Sequence, residues 1–188
     1  MLLSDPEALR DPLDPNPRPD VAPGERLAAV LALLVMDGEP SLIFTRRAHD
    51  LSRHAGEISF PGGLQDPGET PLATALREAH EEIGLDPGVP NVLGALPTVR
   101  TYVSSIVVVP FVAVVDALPD LIHDPMEISQ VLTYRISALS EAESAMELAR
   151  DGETPWTGWA YPMEDSFIWG ATGRMLHDLL TLMREVPG

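Results

Sequence analysis

The chain has 188 residues and no cysteine, with 12 Lys plus Arg against 29 Asp plus Glu, for a formal net charge of −17. Disulfides, thiolate metal sites and cysteine nucleophiles are therefore excluded, and a surface this acidic repels a duplex or RNA backbone, so no nucleic-acid partner is expected. Apolar residues make up 45% of the sequence, enough to bury a core in one domain spanning residues 1–188, and the longest apolar run, ten residues over 27–36, is too short to span a membrane.

Residues 1–25 carry Asp, Pro and Arg where a secretory signal would need a continuous apolar segment. They read as an N-terminal arm, with 11–24 extended or looped. Together with the missing cysteines this fits a cytoplasmic protein. Residues 27–36 read as a buried strand that ends at the Asp37-Gly38 turn, and 41–45 as its hairpin partner. The stretch 49–68, rich in Gly and Pro, reads as irregular.

Thr70 then has the chemistry of a helix N-cap and Pro71 that of a first helical residue. Leu72, Leu76, Ala79 and Ile83 recur at helical spacing, and Gly84 is placed to end the helix. Strands are expected over 91–99, 106–115 and 128–136. A helix capped by Ser137 is expected over 137–150, then a loop with Trp156, Trp159 and Tyr161, then a last helix over 170–184. Strands that precede, separate and follow helices make the class α/β (α+β).

The helix over 71–83 carries Glu78, Glu81 and Glu82, and residues three and four apart share a face. The periodicity places the apolar residues on roughly the opposite side, so the helix is expected to bury one face and present three carboxylates from the other. Like charges at this spacing repel by about 0.2–0.5 kcal/mol per pair on an exposed helix. A divalent cation removes that repulsion, and Mg2+ and Mn2+ prefer oxygen ligands.

The surroundings of the cluster make a longer pattern. Five residues separate Gly63 from Glu69, and seven more lead to Arg77-Glu78. Ala79, His80, Glu81-Glu82, Ile83, Gly84 and Leu85 follow. This string resembles the Nudix box, G-x5-E-x7-R-E-U-x-E-E-x-G-U with U aliphatic, and it matches at every fixed position over residues 63–85.

The resemblance implies a Nudix-type α/β/α sandwich with a mixed sheet and a loop–helix–loop catalytic motif. The implied activity is metal-dependent hydrolysis of a diphosphate linkage. It also implies Glu78, Glu81 and Glu82 as ligands of Mg2+ or Mn2+, and Glu82, Glu81 and Arg77 in the catalytic set. Glu69 and Gly84 would support the site, and Gly63 and Gly84 would permit tight turns. Arg77 can also reach Glu81 at i+4.

Upstream, Thr45, Arg47, Ala48, Gly56, Phe60, Pro61, Gly62 and Gly63 resemble a motif of coenzyme A pyrophosphatases, and residues 167–172 resemble the F-x-W-G-x-T segment of the same group. Two positions depart from the pattern. Ser52 stands where a basic residue is expected, with Arg53 one place later, and Thr101-Tyr102-Val103-Ser104-Ser105 replaces a Ser/Thr-Gly pair. Coenzyme A as substrate would give adenosine 3',5'-bisphosphate and 4'-phosphopantetheine. The alternatives are ADP-ribose, dinucleotides or nucleoside triphosphates, or a nucleotide-binding module on the same scaffold without turnover.

A phosphate-rich ligand needs cations. Arg46, Arg47, Arg53 and Arg100 are the candidates for contacting it, with Gly62 and Gly63 beside them, while His54 reads as structural. Attack by water also needs a base, for which Glu127 is the first choice and Glu57 the second. The partner is then a small-molecule nucleotide. Nudix enzymes are often dimers, so the resemblance leaves a homodimer open, with residues 156–161 either at an interface or covering the core.

Overall fold

The computed structural model describes residues 5–48, 56–101, 104–148 and 156–186. Its frame is a mixed sheet built on β1 (Arg26–Val35), which pairs in parallel with β7 (Ile106–Val115) from Arg26↔Ile106 to Val35↔Val115. On its other side β1 pairs antiparallel with β2 (Ser41–Arg47), as the Asp37-Gly38 turn predicts. The backbone of the sheet runs β3 (Ile58–Ser59), β2, β1, β7, β5 (Asn91–Ala95). The short strands β4 (Gly62–Leu64) and β6 (Val99–Arg100) pair with β1 and β7, and β8 (Ile128–Arg135) pairs with β2.

Because side chains alternate along a strand, β1 feeds two cores. Ala28, Val30, Ala32 and Leu34 join one apolar cluster with Leu176, Leu179 and Leu180 of α3 (Gly170–Glu185). Ala29, Leu31, Leu33 and Val35 join the other with Ala75, Ala79 and Ile83 of α1 (Pro71–Ile83). The helices thus cover opposite faces of the sheet, which is the expected sandwich. Among the described residues, no helix is long and apolar enough to cross a membrane.

The first part of the described N-terminal arm packs against the fold. A 3-10 turn (Pro6–Leu9) buries Leu9, and Leu13 is buried after it. Asp14 and Ala95 exchange backbone hydrogen bonds of 3.0 and 2.8 Å, which extends the sheet beyond β5. The expected strand over 91–99 is interrupted between β5 and β6, where Pro97 lies.

The largest correction concerns 137–162. The expected long helix is only α2 (Ile136–Ala142), and Ser137 does not cap it, its hydroxyl bonding Glu39 instead. The helix-forming residues beyond it form β9 (Ser144–Leu148). The expected aromatic loop is β10 (Trp156–Pro162), paired antiparallel with β9 and with β11 (Phe167–Ile168) in a second sheet. Tyr161 is fully buried and Trp159 stacks on His177, with ring centroids 3.6 Å apart, so these two aromatics cover the core.

Candidate active site

Two local features set the position of α1. Thr70 Oγ1 accepts from Ala73 N at 3.2 Å, and Pro71 follows at the first helical position. The helix ends at Gly84, whose φ of 70° is the left-handed conformation that glycine adopts without strain. Facing α1, β4 pairs with β1 through Gly62↔Val30 and Gly63↔Ala29. A Cβ on Gly62 would overlap the backbone of Ala29 and Val30, and one on Gly63 would overlap the carboxyl group of Glu78. Gly63 therefore does not make the tight turn expected of it. It lies in a strand and leaves room for a glutamate.

Arg77 organises the acidic face. Its Nε and Nη2 donate to the two carboxylate oxygens of Glu69 at 2.7 and 3.1 Å, and Nη2 also donates to Leu64 O at 3.1 Å. Its Nη1 donates to Glu78 at 2.7 Å and to Glu81 at 2.9 Å, so the expected i+4 contact is present. Glu69 also accepts from Thr74 Oγ1 at 2.8 Å and Asp66 N at 3.1 Å. These bonds, that from Arg77 foremost, hold the Glu69 carboxyl down to about 2.

Glu82 departs from the expected geometry. It is 3% exposed, covered by β4, and its Oε2 accepts from Gly62 N at 3.1 Å. Helical spacing places it beside Glu78, but the small residues Ala75 and Ala79 and the glycines of β4 bring the sheet close enough to cover it. Burial pushes its carboxyl up to about 7, against the opposing bond from Gly62, and the negative charge of Glu78 adds to the rise. Burial also raises Glu78, and Arg77 opposes it. Glu81, with its side chain 54% exposed, stands at the solvent edge.

Glu127 and Arg47 reach this site from other elements. The charge of Glu127 acts on both Glu78 and Glu82, and that of Arg47 acts on Glu82. Glu127 O accepts from Ala48 N at 2.8 Å, which ties its loop to the end of β2, and Arg47 N donates to Glu57 O at 3.0 Å. Two other arginines are engaged elsewhere. Arg46 donates to Asp165 O at 2.7 Å, and Arg100 donates to Glu25 at 3.1 Å and Asp20 O at 2.7 Å. Arg53 and His54 lie outside the described residues.

The donor set is entirely carboxylate, which suits a hard divalent cation, and Gly63 supplies the space in which Glu78 lies. Among the described residues, no three such side chains are drawn together closely enough to hold an ion as they stand. Glu78 and Glu81 are shared with Arg77, and Glu82 turns to Gly62. Asp124, whose side chain accepts from Met126 N at 2.8 Å in the turn before Glu127, carries no motif in the sequence. Its one local signal is the Asp-Pro pair, a mark of turns.

The NUDIX domain family matches residues 25–159. A Cronobacter sakazakii (strain ATCC BAA-894) protein named "Uncharacterized Nudix hydrolase NudL" is 34% identical over 171 residues, covering 87% of this chain and 85% of that protein. Among solved structures, the Nudix hydrolase RenU of M. smegmatis superposes with a TM-score of 0.53 at 20% identity, over 62% of this chain and 74% of that one. A MutT/nudix family protein of Enterococcus faecalis gives 0.54 at 17% identity, over 90% and 63%. With the glutamate-bearing helix, the mixed sheet and these matches in agreement, the chain belongs to the Nudix hydrolase family and is a pyrophosphohydrolase.

Proposed function

We propose that this enzyme hydrolyses the diphosphate linkage of coenzyme A, in a reaction dependent on Mg2+ or Mn2+. The observation that carries the reading of the site is the seating of two carboxylates of one helix against the glycine strand, Glu78 in the space left at Gly63 and Glu82 bonded by Gly62 N, with Arg77 holding Glu78, Glu81 and Glu69 together. The preference for coenzyme A rests on the motif from Thr45 to Gly63 and on the segment 167–172, whose β11 packs beside β3 of that motif. The absence of cysteine suits the reducing cytoplasm.

Glu78, Glu81 and Glu82 are the residues that would hold the cation, which when bound supplies positive charge to the diphosphate oxygens and eases deprotonation of water. Glu127 takes the proton of the attacking water. The new bond joins water oxygen to phosphorus, and the bond from that phosphorus to the bridging oxygen breaks. The bridging oxygen leaves on the other phosphate. Arg77 orients Glu81 and Glu78, and in this reading Arg47 and Arg53 meet the substrate phosphates.

The two departures, at Ser52 and over 101–105, weigh against coenzyme A, and the second reading is ADP-ribose, a dinucleotide or a nucleoside triphosphate. The second departure keeps the backbone of a glycine, for Ser105 has φ 49°. The test is product analysis after incubation of coenzyme A with the protein and Mg2+ or Mn2+, with Glu82→Gln as control. Adenosine 3',5'-bisphosphate and 4'-phosphopantetheine are expected only with metal and only with the unaltered protein. Intact coenzyme A with cleaved ADP-ribose would transfer the assignment to the second reading.

A further inference from the structure

The loop that delivers Glu127 is built on the end of the helix that carries Glu82. Ile122 N donates to Ile83 O, and Asp124 N donates to Glu82 O, both at 3.1 Å. Carbonyls in the last turn of a helix have no donor within it, so they are open to such a crossing chain. Gly84 makes the approach possible. A Cβ there would lie 2.9 Å from Ile122 O and 3.2 Å from Ile122 N.

From Asp124 the chain turns tightly. The Asp124 side chain accepts from Met126 N through Oδ1 at 2.8 Å, and its carbonyl accepts from Glu127 N at 3.1 Å and Ile128 N at 2.8 Å. An aspartate that holds the backbone two residues on in this way fixes a turn. Ala48 N then holds the Glu127 carbonyl from the side of β2.

We propose that Asp124 is a positioning residue for Glu127. It references the turn that carries Glu127 to the carbonyl of Glu82, so base and metal-site glutamate are set by one short backbone path. This rests on the reading of Glu127 as the base. A misplacement of about 1 Å in a reacting group is enough to cost about a hundredfold in rate.

The test is a cycle of Asp124→Ala, Asp124→Asn, Glu127→Gln and the Asp124→Ala/Glu127→Gln double variant. It is assayed with Mg2+ on coenzyme A, or on ADP-ribose if that is the compound cleaved. Asp124→Ala is expected to lower kcat about ten- to hundredfold with KM within about twofold. Asp124→Asn, which keeps an Oδ1 acceptor, recovers most of that loss. The double variant is no slower than Glu127→Gln alone, because both changes remove one contribution. If Asp124→Ala does not fold, Asp124→Glu, which misplaces the acceptor by one methylene, takes its place with the same expectation.

A normal kcat in Asp124→Ala beside a depressed one in Glu127→Gln overturns the inference and leaves the base assignment standing. So does an Asp124→Ala loss that adds in full to that of Glu127→Gln. A normal kcat in Glu127→Gln removes the base assignment, and the inference with it.

Discussion

The carboxyl group of Glu78 occupies the space that a side chain at Gly63 would need. Gly63 is paired with Ala29 in the sheet, so neither strand can move aside without breaking the ladder, and the helix opposite is packed through Ala75 and Ala79 on the same sheet face. Whatever is added at residue 63 must be accommodated by moving Glu78.

Gly63→Ala is therefore expected to lower kcat about a hundredfold by displacing Glu78, while overpacking costs about 1–3 kcal/mol of stability. Steady-state kinetics combined with Mn2+ titration of the purified protein checks this. Unchanged kinetics and unchanged Mn2+ affinity would show that the position of Glu78 does not matter to the reaction.

Stability against acid should depend on Glu69. Its carboxyl lies at about 2 in the folded protein against 4.5 for the free group, chiefly through Arg77. Between those values the unfolded chain binds more protons at this residue than the folded one, so its contribution to stability rises with pH there. The contribution is complete above 4.5 and lost as pH falls through about 2. Glu69→Gln should lower the melting temperature at pH 6, and the gap to the unaltered protein should close between pH 4.5 and 2. A gap that stays constant across that window would mean the ion pair with Arg77 is not its source.

A second polar cluster ties α3 to the rest of the fold on the face away from α1. Glu143 accepts from the Tyr161 hydroxyl at 2.8 Å, His177 Nδ1 at 3.0 Å and Arg184 at 2.8 Å. Burial would raise the Glu143 carboxyl, but the bonds from His177, Tyr161 and Arg184 outweigh it and hold the group low. Removing the buried hydroxyl with Tyr161→Phe is expected to cost about 1–2 kcal/mol in denaturant unfolding, with kcat unchanged. A loss of activity at constant stability would place this cluster in the catalytic path.

The helix α1 was legible in full because its signals are local. Thr70 and Pro71 start it, Gly84 stops it, and its apolar residues recur at helical period. The continuous apolar run of β7 was equally plain. The stretch after Ala142 was not, because Ala, Glu, Met and Leu favour a helix there, while pairing from Leu148↔Trp156 to Ser144↔Ala160 makes it a strand. Propensities of a few tenths of a kcal/mol per residue yield to such pairing.

Of the site, the sequence by itself determined that Glu78, Glu81 and Glu82 stand within one turn of a helix with Arg77 among them, since helical geometry depends only on neighbouring residues. Only the tertiary structure decided that Glu82 is buried under Gly62 while Glu81 faces solvent, and that the charge of Glu127 acts on Glu78 and Glu82. It also decided that Arg46 and Arg100 are engaged by Asp165 and by Glu25 and Asp20. Burial and charge at a residue are set by whatever chain packs against it, and that chain comes from dozens of residues away.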